Sequence, residues 1–444
     1  MELTNNAVSC ILCWKRGGFK SLKGGLLMKK KMNRRTFLKY SAAVGATTVV
    51  SGFPTVLRSQ PKEILIASIQ PVTGVIADLG IADRRTNQLA VNDINARGGI
   101  KSMGGAKLKL LLADTEAKEE VARSEAERVI TEGAVCLTGP FLSGNAMTIG
   151  TLCEQRGIPF VMDVAAADAV TQKGFTYTFR CFPNQSLLIK NIGDYLGQIV
   201  KEKKVNIKRI AVTNAGDLFG RVQGQGFVDY VKAKKLSFDA EIVEHIEYPL
   251  GVQDLSAEVS KIKAAKPDIL CPVARSGDAK LLLREVYKQR VELLGIIGPG
   301  SPGWYEPEFI KDMGPLANFV MDNAPWPNPK SPKYKETNER FGKLYPGKYL
   351  DGNSGYGYLA VMVIADALER AKSTKPEAIV DALRKTNYKQ DIMVGGPVQF
   401  TPNGDNANAA TALLQVLKGE VKVVLPKEVA ETAYVFPQPL LWKR

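Results

Sequence analysis

One loop in the first half of the chain carries residue types suited to holding a small ligand. Residues 135–160 have the pattern of a buried strand, a Gly-Pro-Phe-Leu-Ser-Gly loop, a helix from about Asn145 and a second strand. Open α/β sheets bind ligands where loops leave the carboxyl ends of their strands. Four loop residues are therefore expected at a cleft: Phe141, Leu142, Ser143 and Gly144.

The chemistry of this loop is that of an anion site. Ser143 supplies a hydroxyl, Gly144 lets the backbone approach a ligand, and the start of the following helix offers unpaired N–H groups. The alternative is an ordinary turn with a helix cap. The loop by itself does not decide between the two.

The elements that must position this loop alternate along the chain from Lys62. Short apolar runs are separated by turns and by segments with helical spacing, which predicts α/β architecture with parallel sheets covered on both faces. Strands are predicted at 64–69, 108–112, 135–138, 160–162, 210–213, 269–272 and 294–297. Helices are predicted at 78–97, 117–132, 145–156, 186–203, 220–235, 254–265, 277–290, 331–344, 354–371 and 376–385. Seven strands before residue 300 exceed one small sheet, so we expect two lobes, with the chain crossing near 179–186 and 319–329.

The net charge of the chain is concentrated at its start. Of the net charge of +15, residues 1–60 contribute eleven Lys or Arg and one Glu, and the rest of the chain carries only +5. No basic stripe with interleaved aromatic residues remains after residue 60. The charge distribution therefore argues against a role in binding nucleic acid.

The basic start has the features of an export signal. Arg34 and Arg35 lie in the sequence Asn-Arg-Arg-Thr-Phe-Leu-Lys, which resembles a twin-arginine signal and is followed by a weakly apolar run. This predicts a signal over 28–60, cleavage near 50–52 and a periplasmic protein that begins near Lys62. The alternative is a basic anchor helix that stays in the membrane. Residues 1–27 fit neither signal nor domain, and we expect them to be untranslated or disordered, with translation starting at Met28 or Met32.

Few residues suit catalysis or metal binding. Cys136, Cys153, Cys181 and Cys271 have no metal-ligand spacing, and the one histidine, His245, lies in an alternating strand pattern. The chain has no phosphate-binding Walker loop and no G-x-S-x-G motif. We therefore expect a protein that is not an enzyme and that needs no cofactor.

Five segments together resemble type I periplasmic solute-binding proteins of the leucine/isoleucine/valine-binding family, which serve ABC importers. They are residues 67–100, 139–147 (GPFLSGNAM), 176–186 (TYTFRCFPNQS), 215–227 (AGDLFGRVQGQGF) and 393–405 (MVGGPVQFTPNGD). The resemblance implies two Rossmann-like lobes with parallel sheets, joined by a three-crossover hinge. It implies an N-terminal lobe of 62–184 plus 320–394, a C-terminal lobe of 185–319 plus 395–425, and a tail of 426–444.

The resemblance also implies a comparison of site positions. Ser143 matches a family serine that holds a ligand carboxylate, whereas Ala166 stands where a second hydroxyl is usual. Gln185 replaces the aspartate that usually holds a ligand ammonium, and Gly300 stands at the position of a second acid. A dry site without either acid is expected to reject α-amino acids, because an unpaired buried ammonium costs several kcal/mol.

Arg275 could grip a carboxylate in their place if it faces the cleft. The alternative is a solvated residue at a helix start near Asp278. The remaining wall is expected to be apolar, with Phe219 kept from a family aromatic position. The full set of predicted ligand-binding residues is Leu79, Phe141, Leu142, Ser143, Gly144, Val164, Ala166, Gln185, Phe219, Arg275, Ser301 and Tyr356.

The predicted function is capture of a small organic carboxylate, aromatic or branched aliphatic, by hinge closure for an ABC importer. The expected partners are that ligand and a membrane permease, with no nucleic acid and a monomeric protein. The alternatives are a sensory ligand-binding protein, or an importer subunit for a neutral amide or a branched-chain amino acid.

Overall fold

A computed structural model of the chain describes residues 62–444, which contain two β-sheets flanked by helices. The strands are β1 (Glu63–Gln70), β2 (Lys107–Asp114), β3 (Leu137–Thr138), β4 (Phe160–Met162), β5 (Thr178–Arg180), β6 (Arg209–Ala215), β7 (Glu241–Tyr248), β8 (Ile269–Val273), β9 (Gly295–Gly298), β10 (Met321–Ala324), β11 (Ala412–Leu417) and β12 (Glu420–Leu425). The helices are α1 (Ala77–Ala96), α2 (Glu119–Thr131), α3 (Ser143–Arg156), α4 (Gln185–Lys203), α5 (Leu218–Lys232), α6 (Ser256–Ala265), α7 (Ser276–Lys288), α8 (Pro307–Met313), α9 (Pro332–Leu344), α10 (Gly352–Ala371) and α11 (Pro376–Arg384).

The first sheet is entirely parallel and has the order β2-β1-β3-β4-β5. Alternate residues of β1 point to opposite faces, so Ile64 and Ile66 pack beneath α1 and α10 whereas Ala67 and Ile69 pack against α2 and α3. Both faces are therefore buried, as the continuous apolar runs predict.

The second sheet has the order β12-β11-β10-β9-β8-β6-β7. Strands β6 to β10 pair in parallel, and the hairpin of β11 and β12 adds to β10 in the antiparallel direction. The predicted fold class is thus confirmed: the protein is α/β with parallel sheets in two lobes. The ten predicted helices are present, and the seven-residue α8 is the one that the sequence pattern did not reveal.

The chain crosses between the lobes three times. It enters the second lobe after β5, returns to the first lobe after β10 so that α10 packs along α1, and enters the second sheet again at β11. The first crossing lies near the predicted boundary at 184–185, and the second and third lie later than predicted. Strand β10 belongs to the second sheet although 320–394 was assigned to the first lobe, and Phe400 stacks on Phe179 of the first lobe at a ring distance of 5.0 Å.

The C-terminal tail, residues 426–444, packs on the second lobe. Gln438 accepts a hydrogen bond from the N–H of Ile296 at 3.0 Å and donates one to its carbonyl at 3.1 Å. The side chain of Gln415 makes the same pair of bonds with Val435. Among residues 62–444, no helix combines the length and apolar character that a membrane crossing requires.

A buried ion pair fastens the third crossover to the first lobe. Arg180 is fully buried, and its Nε and Nη2 donate to Asp405 Oδ1 at 2.9 and 2.6 Å. Its Nη1 donates to the carbonyls of Ala165 and Ala167 at 3.1 and 2.8 Å. The pair therefore holds the loop after β4 in place.

Asp405→Asn is expected to lower the free energy of unfolding by about 3 kcal/mol, because it leaves the Arg180 charge buried without its partner. Urea unfolding followed by circular dichroism measures the change. Asp391→Asn, at an exposed position, is the matched control and should change stability by less than about 0.5 kcal/mol. Equal effects of the two substitutions would show that the ion pair does not stabilise the fold.

Candidate ligand-binding site

A cavity lies between the two lobes at the carboxyl ends of their strands. The space between its wall atoms, including the part open to solvent, is about 380 Å³. Both lobes contribute to its lining, which consists of Phe141, Ser143, Val164, Ala166, Phe182, Leu188, Phe219, Arg275, Gly300, Pro302, Tyr305, Pro325 and Asn353.

The first lobe brings the start of α3 to the cavity. Ser143 is the first residue of this helix, and its Oγ accepts a hydrogen bond from the backbone N–H of Ala167 at 3.2 Å. The hydroxyl hydrogen of Ser143 is not used in that bond. The N-terminus of the helix and this hydroxyl together form a donor site for an anion.

The second lobe brings Arg275, which lies between β8 and the start of α7. Its side chain is 4% exposed, and its Nη2 donates to Asp217 Oδ2 at 2.8 Å. Its Nε and Nη1 are buried and have no hydrogen-bond partner. The alternative of a solvated helix-start residue is therefore excluded, and Asp278 instead accepts from the backbone N–H of Arg275 at 3.0 Å.

Two aromatic rings hold the guanidinium from opposite lobes. The centre of the Arg275 guanidinium lies 5.3 Å from the ring of Phe219 and 5.8 Å from the ring of Phe141. Such contacts stabilise a cation through the negative face of the ring. Since Phe141 belongs to the first lobe and Arg275 to the second, this contact forms only when the lobes approach each other.

The structure brings six of the twelve predicted residues to the cavity wall: Phe141, Ser143, Val164, Ala166, Phe219 and Arg275. It places the other six elsewhere: Leu79, Leu142, Gly144, Gln185, Ser301 and Tyr356. The contacts of these six residues differ from one residue to the next.

Two loop residues point away from the cavity. A Cβ on Gly144 would lie 2.4 Å from Glu119 Oε1, so this glycine permits close packing on α2 rather than approach to a ligand. Leu142 is buried in the core of the first lobe as the residue before α3. Leu79 lines a separate polar cavity between the lobes, beside Asp78 and Glu306.

The other three residues serve structure. Gln185 donates from Nε2 to the carbonyl of Val222 at 2.7 Å, and Ser301 Oγ accepts from the N–H of Ala274 at 2.6 Å. The ring of Tyr356 packs edge-on against Phe182 at 5.1 Å. Tyr356 therefore supports a wall residue from behind without contacting the cavity.

Sequence reasoning missed several wall residues for identifiable reasons. Phe182 and Leu188 lie at the first crossover, just before and within α4, where the sequence pattern does not show which apolar residues face the cavity. Tyr305 and Asn353 belong to different lobes and meet only in the fold, where Asn353 Nδ2 donates to the hydroxyl of Tyr305 at 3.3 Å. In the sequence, only the aromatic residues of segment 301–306 indicated that Tyr305 could contact a ligand.

The cysteines and the histidine lie outside the site. Burial raises the pKa of the Cys136, Cys181 and Cys271 thiols, which keeps them protonated. His245 lies on β7 with its Nε2 2.7 Å from Asn214 Oδ1, and burial lowers its pKa. In the part of the chain that the structure describes, no three His, Cys, Asp or Glu side chains converge into a metal site.

Comparison with known proteins places this geometry among solute-binding proteins. Residues 63–420 match the family described as periplasmic binding protein, and residues 31–51 match the twin-arginine translocation pathway signal sequence. The Leu/Ile/Val-binding protein homolog 8 of Brucella abortus is 26% identical over 401 residues, which cover 87% of this chain and 96% of that protein.

Two solved structures show the same fold. The leucine-binding protein LivK of Thermotoga maritima aligns with a TM-score of 0.70 at 23% identity, covering 81% of this chain and 97% of that chain. A solute-binding protein of an ABC transporter from Rhodopseudomonas palustris, solved in complex with 3,4-dihydroxybenzoic acid, aligns with a TM-score of 0.70 at 19% identity. That alignment covers 81% of this chain and 95% of the other.

Gly300→Ala is expected to destabilise the protein by about 1–2 kcal/mol, because Gly300 has a φ of +105° and a Cβ there would lie 3.3 Å from Leu188. Gly277→Ala is the matched control. A Cβ at position 277 in α7 would have no atom within 4 Å, so alanine should leave the free energy of unfolding unchanged or raise it by up to about 1 kcal/mol. Urea unfolding of both variants measures the difference. Equal stability of the two variants would contradict the positive φ of Gly300 at the cavity wall.

Proposed function

This chain belongs to the periplasmic binding protein family, and from that premise we propose that it captures a small organic carboxylate for an ABC importer. The carboxylate accepts hydrogen bonds from Arg275, and an aromatic or branched aliphatic body fills the apolar wall. The observation that carries this proposal is the pair of buried, unpartnered nitrogens on Arg275.

Family membership settles the broader points. The protein is a solute-binding protein and not an enzyme, and the signal match at residues 31–51 directs it to the periplasm. The predicted resemblance, the absence of enzymatic function and the periplasmic location are confirmed. The ligand, the permease and the monomeric state remain proposals.

The charge argument for a carboxylate rests on Arg275. A guanidinium has five N–H donors, and Asp217 engages only Nη2. A buried donor without a partner costs about 1–3 kcal/mol, and more when it is charged. An anionic acceptor would satisfy Nε or Nη1 better than a neutral amide oxygen, because its full negative charge adds Coulomb attraction to the guanidinium and a carboxylate matches the planar guanidinium with two oxygens.

The charge argument against an amino acid rests on the wall composition. None of the residues that line the cavity is Asp or Glu, and Gln185, at the position of the family aspartate, bonds the backbone of Val222 instead. An ammonium in this cavity would therefore lack a carboxylate partner. Of the neighbours named above, the one bound to 3,4-dihydroxybenzoic acid has a ligand of the class that we propose.

The proposed mechanism is closure about the crossovers. A carboxylate first meets the start of α3 and the Ser143 hydroxyl on the first lobe. The second lobe then brings Arg275 and Phe219 onto it and excludes water. The closed form is the state that a permease would recognise.

A thermal-shift screen with matched sets tests the ligand class. Benzoate and 4-methylpentanoate are expected to raise the melting temperature, because each supplies a carboxylate without an ammonium group. Leucine, which carries an ammonium, and the neutral benzamide and 4-methylpentanamide are expected to have little effect. Stabilisation by leucine and none by the acids would contradict the proposal.

Arg275→Gln is expected to weaken binding of the carboxylate that stabilises the wild type by at least about 30-fold, since truncating one partner of a buried charged pair costs about 2 kcal/mol or more. Titration calorimetry measures the affinity. Arg221→Gln, an exposed arginine of α5, is the control and should leave the affinity within about threefold.

The double variant Arg275→Gln with Asp217→Asn separates a loss of ligand contact from a loss of the fold. It removes both charges of the buried pair, so the fold is expected to survive while carboxylate binding is still lost. Normal binding by the double variant would show that Arg275 does not hold the ligand.

A further inference from the structure

A cluster of buried polar side chains, the polar chamber, lies between the first sheet and α1. Register pairs Ser68 with Thr138 and Thr138 with Val161, and Asp163 follows Val161 by two residues, so these side chains share one face of the sheet. Ser68 Oγ donates to Asn87 Oδ1 at 2.6 Å, which identifies that face as the one covered by α1.

Asp83 points into this chamber. It lies one turn before Asn87 on α1, and because the helix runs back along β1, this places Asp83 over Gln70 at the carboxyl end of the strand. Asp83 is fully buried, and neither of its carboxyl oxygens has a hydrogen-bond partner. Gln70 Nε2 donates to Asp163 Oδ2 at 2.6 Å, which leaves Gln70 Oε1 and Asp163 Oδ1 unpartnered as well.

The unpartnered atoms share one chemistry. The two oxygens of Asp83 and one oxygen each from Asp163, Gln70 and Thr138 are buried without a partner in this region. Native structures rarely leave such a group of buried polar atoms without an occupant. A proton on Asp83 would satisfy only one or two of these atoms, whereas a cation can be bound by several oxygens at once.

No positive side chain balances the two carboxyl groups. Among the described residues, no Lys or Arg side chain forms an ion pair or a hydrogen bond with either carboxyl group, and Asp83 and Asp163 keep three unpartnered oxygens between them. These oxygens are therefore available to a cation.

We propose that this chamber binds one hard metal cation between Asp83 and Asp163, with Gln70 Oε1 as a neutral ligand. Every available ligand atom is an oxygen, which suits calcium or an alkali cation and does not suit zinc or copper. Calcium matches the two carboxylates in charge and tolerates irregular oxygen coordination, whereas magnesium gives up its water shell reluctantly.

The bound cation would stabilise the wall of the ligand cavity. Asp163 lies in the same loop as the wall residues Val164 and Ala166 and immediately before Val164. Ala167, which follows Ala166, donates from its backbone N–H to Ser143 Oγ. Fixing Asp163 therefore fixes the loop that positions the anion-binding serine. This role does not depend on which ligand the cavity takes.

The test uses the purified exported protein without ligand. After dialysis against EDTA and return of calcium, elemental analysis is expected to find about one calcium per chain, and the melting temperature is expected to rise by several degrees. Asp83→Asn should abolish both effects, and Asp381→Asn, at an exposed position, should preserve them. A rise produced by sodium or potassium and lost in Asp83→Asn supports the same site with a monovalent occupant.

The metal content of the wild type decides the question even if the Asp83 variant fails to fold. Absence of any bound cation, with a melting temperature that calcium, sodium and potassium leave unchanged, would overturn the proposal. A shared proton would then be the occupant. Its signature is stability that is full below the unfolded pKa of aspartate and is lost as pH rises through the Asp163 pKa of about 7.

Discussion

The arrangement of the site depends on one buried charge, the guanidinium of Arg275. A charged group can remain in a nearly dry cavity only when it is paired and hydrogen-bonded. Asp217 supplies one partner from its own lobe, and Phe219 supplies a ring from that lobe. Phe141 adds a ring from the other lobe, and the remaining donors Nε and Nη1 are buried without a partner. In the proposed function, a ligand anion satisfies them.

The rest of the fold can be understood as support for that arrangement. The parallel sheets bring the ends of β3, β4 and β8 to one cleft, and short turns there leave helix starts and loop side chains facing it. The ion pair of Arg180 and Asp405 holds the loop after β4 from behind, and the tail bonds of Gln415 and Gln438 complete the second sheet. Each lobe thus holds its own half of the site through contacts within that lobe.

The sequence was sufficient for the lobes and for two residues of the cavity wall. Strand and helix periods predicted the alternation of elements and placed Ser143 after a buried strand, at the edge where ligands bind, whereas Arg275 was predicted from the family resemblance. The direction of a side chain around a helix start could not be predicted. Gln185 and Gly144 were therefore assigned to the ligand, although the structure turns them to Val222 and α2.

Contacts that join distant segments were also beyond the sequence pattern. Tyr305 and Asn353 belong to different lobes and meet across the cleft. The polar chamber under α1 groups Asp83 with Asp163, which lies 80 residues later in the chain. Neither group forms a local motif.

The most direct test of the central claim is a crystal structure of the protein with a bound carboxylate. The account predicts a carboxylate oxygen within about 3.2 Å of Arg275 Nε or Nη1. A carboxylate bound elsewhere, with Arg275 bonded to Asp217 alone, would contradict it.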